Sequence, residues 1–146
     1  MKCPQTFATE LNRRFPNPRL EQIAKHGCCA FVLLWCLGIE PSDIDAIITI
    51  DNLITEGAIK EDCEVKWAPA VSALTGRGLK SIEFVDIKCI RNIKERTLVR
   101  FDYGEKSHWV GVENGKVVFN PLSHSNCVEN GKPVTKRVLH LTGENK

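Results

Sequence analysis

Two groups far apart in this chain have the chemistry to attack a carbonyl together: the thiol of Cys28 and the imidazole of His108. A thiol attacks as thiolate, so a nucleophilic cysteine gains from a helix N-terminus, where partial positive charge and unpaired backbone N–H groups lower its pKa. Cys28 follows Gly27 and opens the run Cys28-Cys29-Ala-Phe-Val-Leu-Leu-Trp-Cys-Leu, which is apolar on every side. That run predicts a buried central helix with Cys28 at its start, where its own N–H can face an oxyanion. Gln22, earlier on the same approach to the thiol, offers a side-chain amide to the same oxyanion. Cys29 is the alternative nucleophile and points about 100° away around the helix. The Gln22 spacing and the first helical position favour Cys28. Cys3, Cys36, Cys63 and Cys89 read as core thiols.

A general base needs a partner that holds its tautomer, and here the hairpin signal Glu113-Asn114-Gly115-Lys116 supplies a geometric test. His108 opens the strand His-Trp-Val-Gly-Val, and Asn120 ends the next, Val-Val-Phe-Asn. If Asn114-Gly115 is a strict two-residue loop, Asn120 points to the opposite side of the sheet from His108. If Glu113-Asn114-Gly115 is a three-residue loop with Gly115 in the left-handed conformation of a G1 bulge, His108 lies directly opposite Asn120. A hydrolytic site predicts the bulged turn, with Asn120 orienting the imidazole.

The elements that must position these groups divide the chain into a helical first half and a strand-rich second half. Helices are expected over 6–15, 20–25, 28–37, 43–56 and 67–74, punctuated by Pro16-Asn17-Pro18, Gly38, Pro41-Ser42 and Gly76. From residue 79 the periodicity turns toward two, around Ile82 and Phe84, then 98–103, 108–112, 117–120 and 134–141. The expectation is one α+β domain over residues 1–146, with N-terminal helices packed on one face of a C-terminal antiparallel sheet.

Composition narrows the function classes. An apolar fraction of 42% with 26% charged residues fits a globular chain and excludes disorder, collagen and coiled coil. Twenty Lys and Arg against eighteen Asp and Glu leave +2, too little for sequence-independent attraction to phosphate backbones, so no nucleic-acid partner is expected. The longest apolar run, 28–37, is about half a membrane span, and the first residues lack a signal-like apolar stretch. Seven cysteines, an odd number, read as mostly reduced and predict a cytoplasmic setting without membrane attachment. His124-x2-Cys127 with Cys89 or Cys28-Cys29 is a poor zinc pattern, and Thr75-Gly-Arg-Gly78 lacks the lysine and spacing of a phosphate loop. No metal or cofactor is expected. Trp67 and Trp109 are candidate contacts for a peptide or protein partner.

Gln22-x5-Cys28 at a helix start, then His108-Trp-Val-Gly-Val and Val-Val-Phe-Asn120-Pro121, resembles the papain-like cysteine peptidase superfamily, specifically its C39-like branch of bacteriocin-processing peptidases. The stretch from Asp43 to Trp67 also looks similar to bacterial and phage proteins with a C39-like fold. The resemblance spans residues 20–122, with Cys29-Ala30 where the family usually has Gly-Pro after the nucleophile. It implies a papain-like fold and hydrolysis of a peptide or other amide through a thioester. In that reading Cys28 is nucleophile, His108 general base and then acid, Asn120 orienter and Gln22 oxyanion donor. The alternative it leaves open is a C39-like scaffold that binds a peptide or protein without efficient cleavage.

Overall fold

A computed structural model of the chain describes residues 1–143. Five helices precede the first strand: α1 (Pro4–Arg14), α2 (Pro18–His26), α3 (Cys28–Cys36), α4 (Asp43–Thr55) and α5 (Trp67–Thr75). Their boundaries follow local chemistry. Asn17 caps α2 by accepting from the Leu20 N–H at 3.0 Å, with Pro18 in the first turn, where its missing N–H costs nothing. Ser42 caps α4 in the same way through the Asp45 N–H at 3.2 Å. The Pro-Asn-Pro stretch therefore ends one helix and begins the next.

The sheet contains β1 (Leu79–Asp86), β2 (Thr97–Tyr103), β3 (Lys106–Glu113), β4 (Lys116–Phe119) and β5 (Lys132–Leu141), all antiparallel, in the order β1-β5-β2-β3-β4. Hairpins join β2, β3 and β4 in succession. The segment from Ile87 to Arg96 carries the chain away from β1, and β5 fills the gap by pairing with both β1 and β2. A short helix, α6 (Asn126–Asn130), precedes it.

Helices cover both faces of this sheet, in contrast to the one-sided packing expected from the sequence. The large core lies between α1–α5 and one face, around Phe31, Leu33, Leu34, Ile50, Val71 and Leu98. Ile93, Val99, Phe101, Val110, Val112 and Cys127 form a second cluster on the other face, closed by Ile87, Ile90 and Val128. Because side chains alternate along a strand, Trp109 and Gly111 of β3 face α3, while His108, Val110 and Val112 face α6. At Gly111 a Cβ would stand 2.4 Å from the Trp35 ring, so glycine is what lets α3 lie this close to β3. Among the described residues, no helix is long and apolar enough to cross a membrane.

Candidate active site

The Asn114-Gly115 turn decides which face Asn120 occupies. Both residues have positive φ, 53° and 75°, and Glu113 pairs with Lys116, so the loop has two residues and a type I′ character. The three-residue loop with a G1 bulge does not form. The strict two-residue register nevertheless does not turn Asn120 away, because the register shifts inside β4: Val112 pairs with Val117, whereas Gly111 pairs with Phe119. Val118 is the extra residue and is exposed. Val117 thus packs in the second cluster, Phe119 against the α3 side, and Asn120 returns to the face of His108. It meets the histidine from beyond the end of β4 and not from directly opposite it.

His108 is only 4% exposed, and its Nε2 lies 2.7 Å from Asn120 Oδ1. The Leu122 backbone N–H donates to the same atom at 3.0 Å, which identifies that atom as the amide oxygen. An oxygen already accepting from a backbone amide must also accept from the imidazole, so Nε2 carries the proton. Nδ1 then holds the free lone pair, as a general base requires. Burial pushes the His108 pKa below the ordinary histidine value, with the Asn120 hydrogen bond a smaller opposing influence. The imidazole is therefore neutral at pH 7.

Gly27 ends α2 and starts α3 without an intervening loop; a Cβ there would stand 2.5 Å from the Ile23 carbonyl oxygen. This places Cys28, half-buried, at the first position of α3, where no side chain caps the helix. Three backbone N–H groups act on its sulfur: those of Cys28, Cys29 and Trp109. Trp109 immediately follows His108 and belongs to the part of β3 beyond the end of β4's pairing. Burial nevertheless outweighs these donors and pushes the Cys28 thiol up, opposite to the lowering expected from a helix start alone. No hydrogen bond joins the Cys28 sulfur to the imidazole among the described residues. The Trp109 amide, next in sequence to the histidine, lowers the thiol's pKa against the larger effect of burial.

Cys29 faces a different environment. It lines a cavity of about 350 Å³ with Cys63, Trp67, Phe84, Trp109 and Arg137, and burial pushes its thiol up strongly. The Gln22 side chain makes no hydrogen bond among the described residues and lines a cavity with Asn17, Arg19 and Glu61. Its backbone carbonyl accepts from the Cys63 thiol at 3.5 Å.

Gln5 is the residue that sequence reasoning missed. It is 3% exposed; its Nε2 donates to the Ala24 carbonyl at 3.0 Å, and its backbone N–H donates to the Pro121 carbonyl at 2.9 Å. One residue of α1 thereby ties the end of α2, just before Gly27-Cys28, to the segment just after Asn120. A glutamine in the first turn of a helix carries no signal for such a role, because nothing local distinguishes it from a solvated one. His124 bonds Glu129 at 2.9 Å on the surface, and no group of three or more His, Cys, Asp or Glu side chains is placed to hold a metal among the described residues.

No family model, no curated protein and no solved structure matches the chain.

Proposed function

We propose that this chain is a cysteine hydrolase of the papain-like, C39-like kind, acting on a peptide or protein amide through Cys28, His108 and Asn120. The observation that carries the reading is the imidazole fixed by Asn120 and Leu122 with its lone pair on Nδ1, on the strand whose next amide acts on the Cys28 sulfur. Both partners rest neutral, the thiol because burial holds it protonated and the imidazole because burial holds it unprotonated. Proton transfer therefore accompanies attack: Nδ1 takes the thiol proton as sulfur bonds to the carbonyl carbon. The oxyanion accepts from the Cys28 N–H at the open end of α3. His108 then returns the proton to the leaving amine as the C–N bond breaks. Water, deprotonated by the same imidazole, hydrolyses the thioester and regenerates the thiol.

Seven free cysteines suit such an enzyme to a reducing compartment such as the cytoplasm. The second reading, a scaffold that binds a peptide without cleaving it, is favoured by the missing hydrogen bond between sulfur and imidazole. Acyl transfer separates the two. On mixing with p-nitrophenyl acetate, mass spectrometry should find the acetyl group on Cys28, and His108→Ala should slow its appearance roughly 100- to 10,000-fold. Acylation spread evenly over the thiols, or unaffected by His108→Ala, leaves only the scaffold.

A further inference from the structure

The guanidinium carbon of Arg137, on β5, lies 4.1 Å from the Phe84 ring centroid and 4.9 Å from that of Trp109. Two aromatic contacts hold the group in place and leave its N–H groups for recognition. One edge is partly used, since Nη1 donates to Thr135 Oγ1 at 2.8 Å and to the Lys136 carbonyl at 3.3 Å. The other edge, formed by Nε and Nη2, has no protein acceptor; Nε is enclosed and unpaired. Arg137 forms no ion pair among the described residues.

Arg100, on the same face of the sheet, shows how a guanidinium there takes a carboxylate. Its Nε and Nη2 reach the two carboxylate oxygens of Asp102 at 3.0 and 3.3 Å. This is the side-on bidentate pairing in which a guanidinium binds a carboxylate most strongly. Arg137 has no carboxylate in hydrogen-bond contact, only the charge of Asp86 acting from nearby, and it lines the cavity that also holds Cys29, Trp67 and Trp109. Asp62 and Glu64 line the same cavity; Asp62 accepts from the Glu64 N–H at 3.0 Å, and Glu64 pairs with Lys60 at 3.1 Å. Those two carboxylates already have partners of their own, whereas the Arg137 edge has none.

We propose that this cavity binds a carboxylate of the ligand, either a C-terminal carboxylate or an acidic side chain, on Nη2 of Arg137, the guanidinium nitrogen that is neither enclosed nor bonded to a protein acceptor. As a statement about substrate it rests on the hydrolase reading, because Trp109 connects the two: its ring lies against Arg137 and its amide acts on the Cys28 sulfur. A carboxylate bound there and the candidate nucleophile then share Trp109 as a neighbour, and Arg137 selects which substrates are held beside it.

The test uses the Cys28→Ala protein, so that binding is read without turnover. Tryptophan fluorescence is titrated with N-acetyl-Ala-Ala bearing a free carboxylate, with its C-terminal amide, and with N-acetyl-Glu-amide against N-acetyl-Gln-amide. At least one carboxylate compound should bind about tenfold or more tightly than its neutral partner. Arg137→Gln should erase the preference, and Arg137→Lys should restore only part of it. Equal binding of acid and amide in the Cys28→Ala protein overturns the inference without recourse to any Arg137 variant. A preference that survives Arg137→Gln overturns it as well. Acylation of Cys28 in the wild-type chain is scored separately, so a carboxylate site without catalysis and catalysis without a carboxylate site give different results.

Discussion

The two faces of strand β3 do different work. On the α3 side, Trp109 and Gly111 lie against the large core, where Trp35 stacks on Phe119 at 6.0 Å and Arg96 covers the Trp35 ring at 4.5 Å. On the α6 side, His108 lies across from Phe101, a member of the small cluster closed by the segment from Ile87 to Arg96 and one short helix. The candidate base is thus placed on the lightly covered face, while the candidate nucleophile belongs to the heavily packed one. A large core holds α3 and its first residue in place, while on the thin face the buried imidazole is held through Asn120. The lesson is that stability and site chemistry are separated here by one residue of strand alternation.

The largest test of that separation is packing loss. Phe31→Ala, on the helix face and fully buried, should cost about 3–5 kcal/mol, whereas Ile93→Val on the α6 face should cost about 0.5–1.5 kcal/mol. Urea unfolding measures both, and a reversed order would show that the small cluster is the stabilising one.

Asn120→Ala comes next. It leaves the buried His108 Nε2–H without its acceptor, at about 1–3 kcal/mol, and frees the tautomer. Nitrogen chemical shifts of the imidazole should then show the proton distributed over both ring nitrogens, where the wild type shows it on Nε2 alone.

The two faces should also fail at opposite ends of the pH scale. The folded pKa of His108 is lowered, so the unfolded chain protonates first as pH drops below about 6.5, and stability falls until the folded imidazole titrates in turn. His108→Gln should flatten that acid limb. On the helix side, burial pushes the Cys29 and Cys36 thiols up, and Cys63 up to about 11. Unfolded thiols ionise from about pH 8.5, so stability should fall as pH rises beyond that value and through the folded pKa values. Thermal unfolding between pH 4 and 11 reads both limbs, and a flat alkaline side would contradict the buried state of these thiols.

The smallest expected effect concerns the turn. Asn114→Ala, at φ 53°, should lose about 1 kcal/mol through left-handed strain. The His108–Asn120 bond should persist, because the register shift at Val118, and not the turn type, sets the face of Asn120.

Much of the architecture was legible. Glycines, prolines and capping residues marked the helix ends, and the change from helical to twofold spacing near residue 79 marked the start of the sheet, because these signals act within a few residues. Helix α6 was not legible, since Asn126–Asn130 is too short to show a period. The pairing of His108 with Asn120 was readable as chemistry but not as geometry: hairpin rules fix the loop, while a single inserted residue in β4 reverses every side chain beyond it.

By itself, then, the sequence determined which of the longer segments are helix and strand and that Cys28 begins the most apolar helix, and it offered a thiol, an imidazole and an amide for the proposed chemistry. Tertiary structure alone decided that β5 enters the middle of the sheet, that Asn120 returns to the face of His108, that Gln5 ties α2 to Pro121, and that Arg137 is left with an unpaired edge. These last features depend on contacts between residues tens of positions apart, whose energies exist only once burial has removed water from between them.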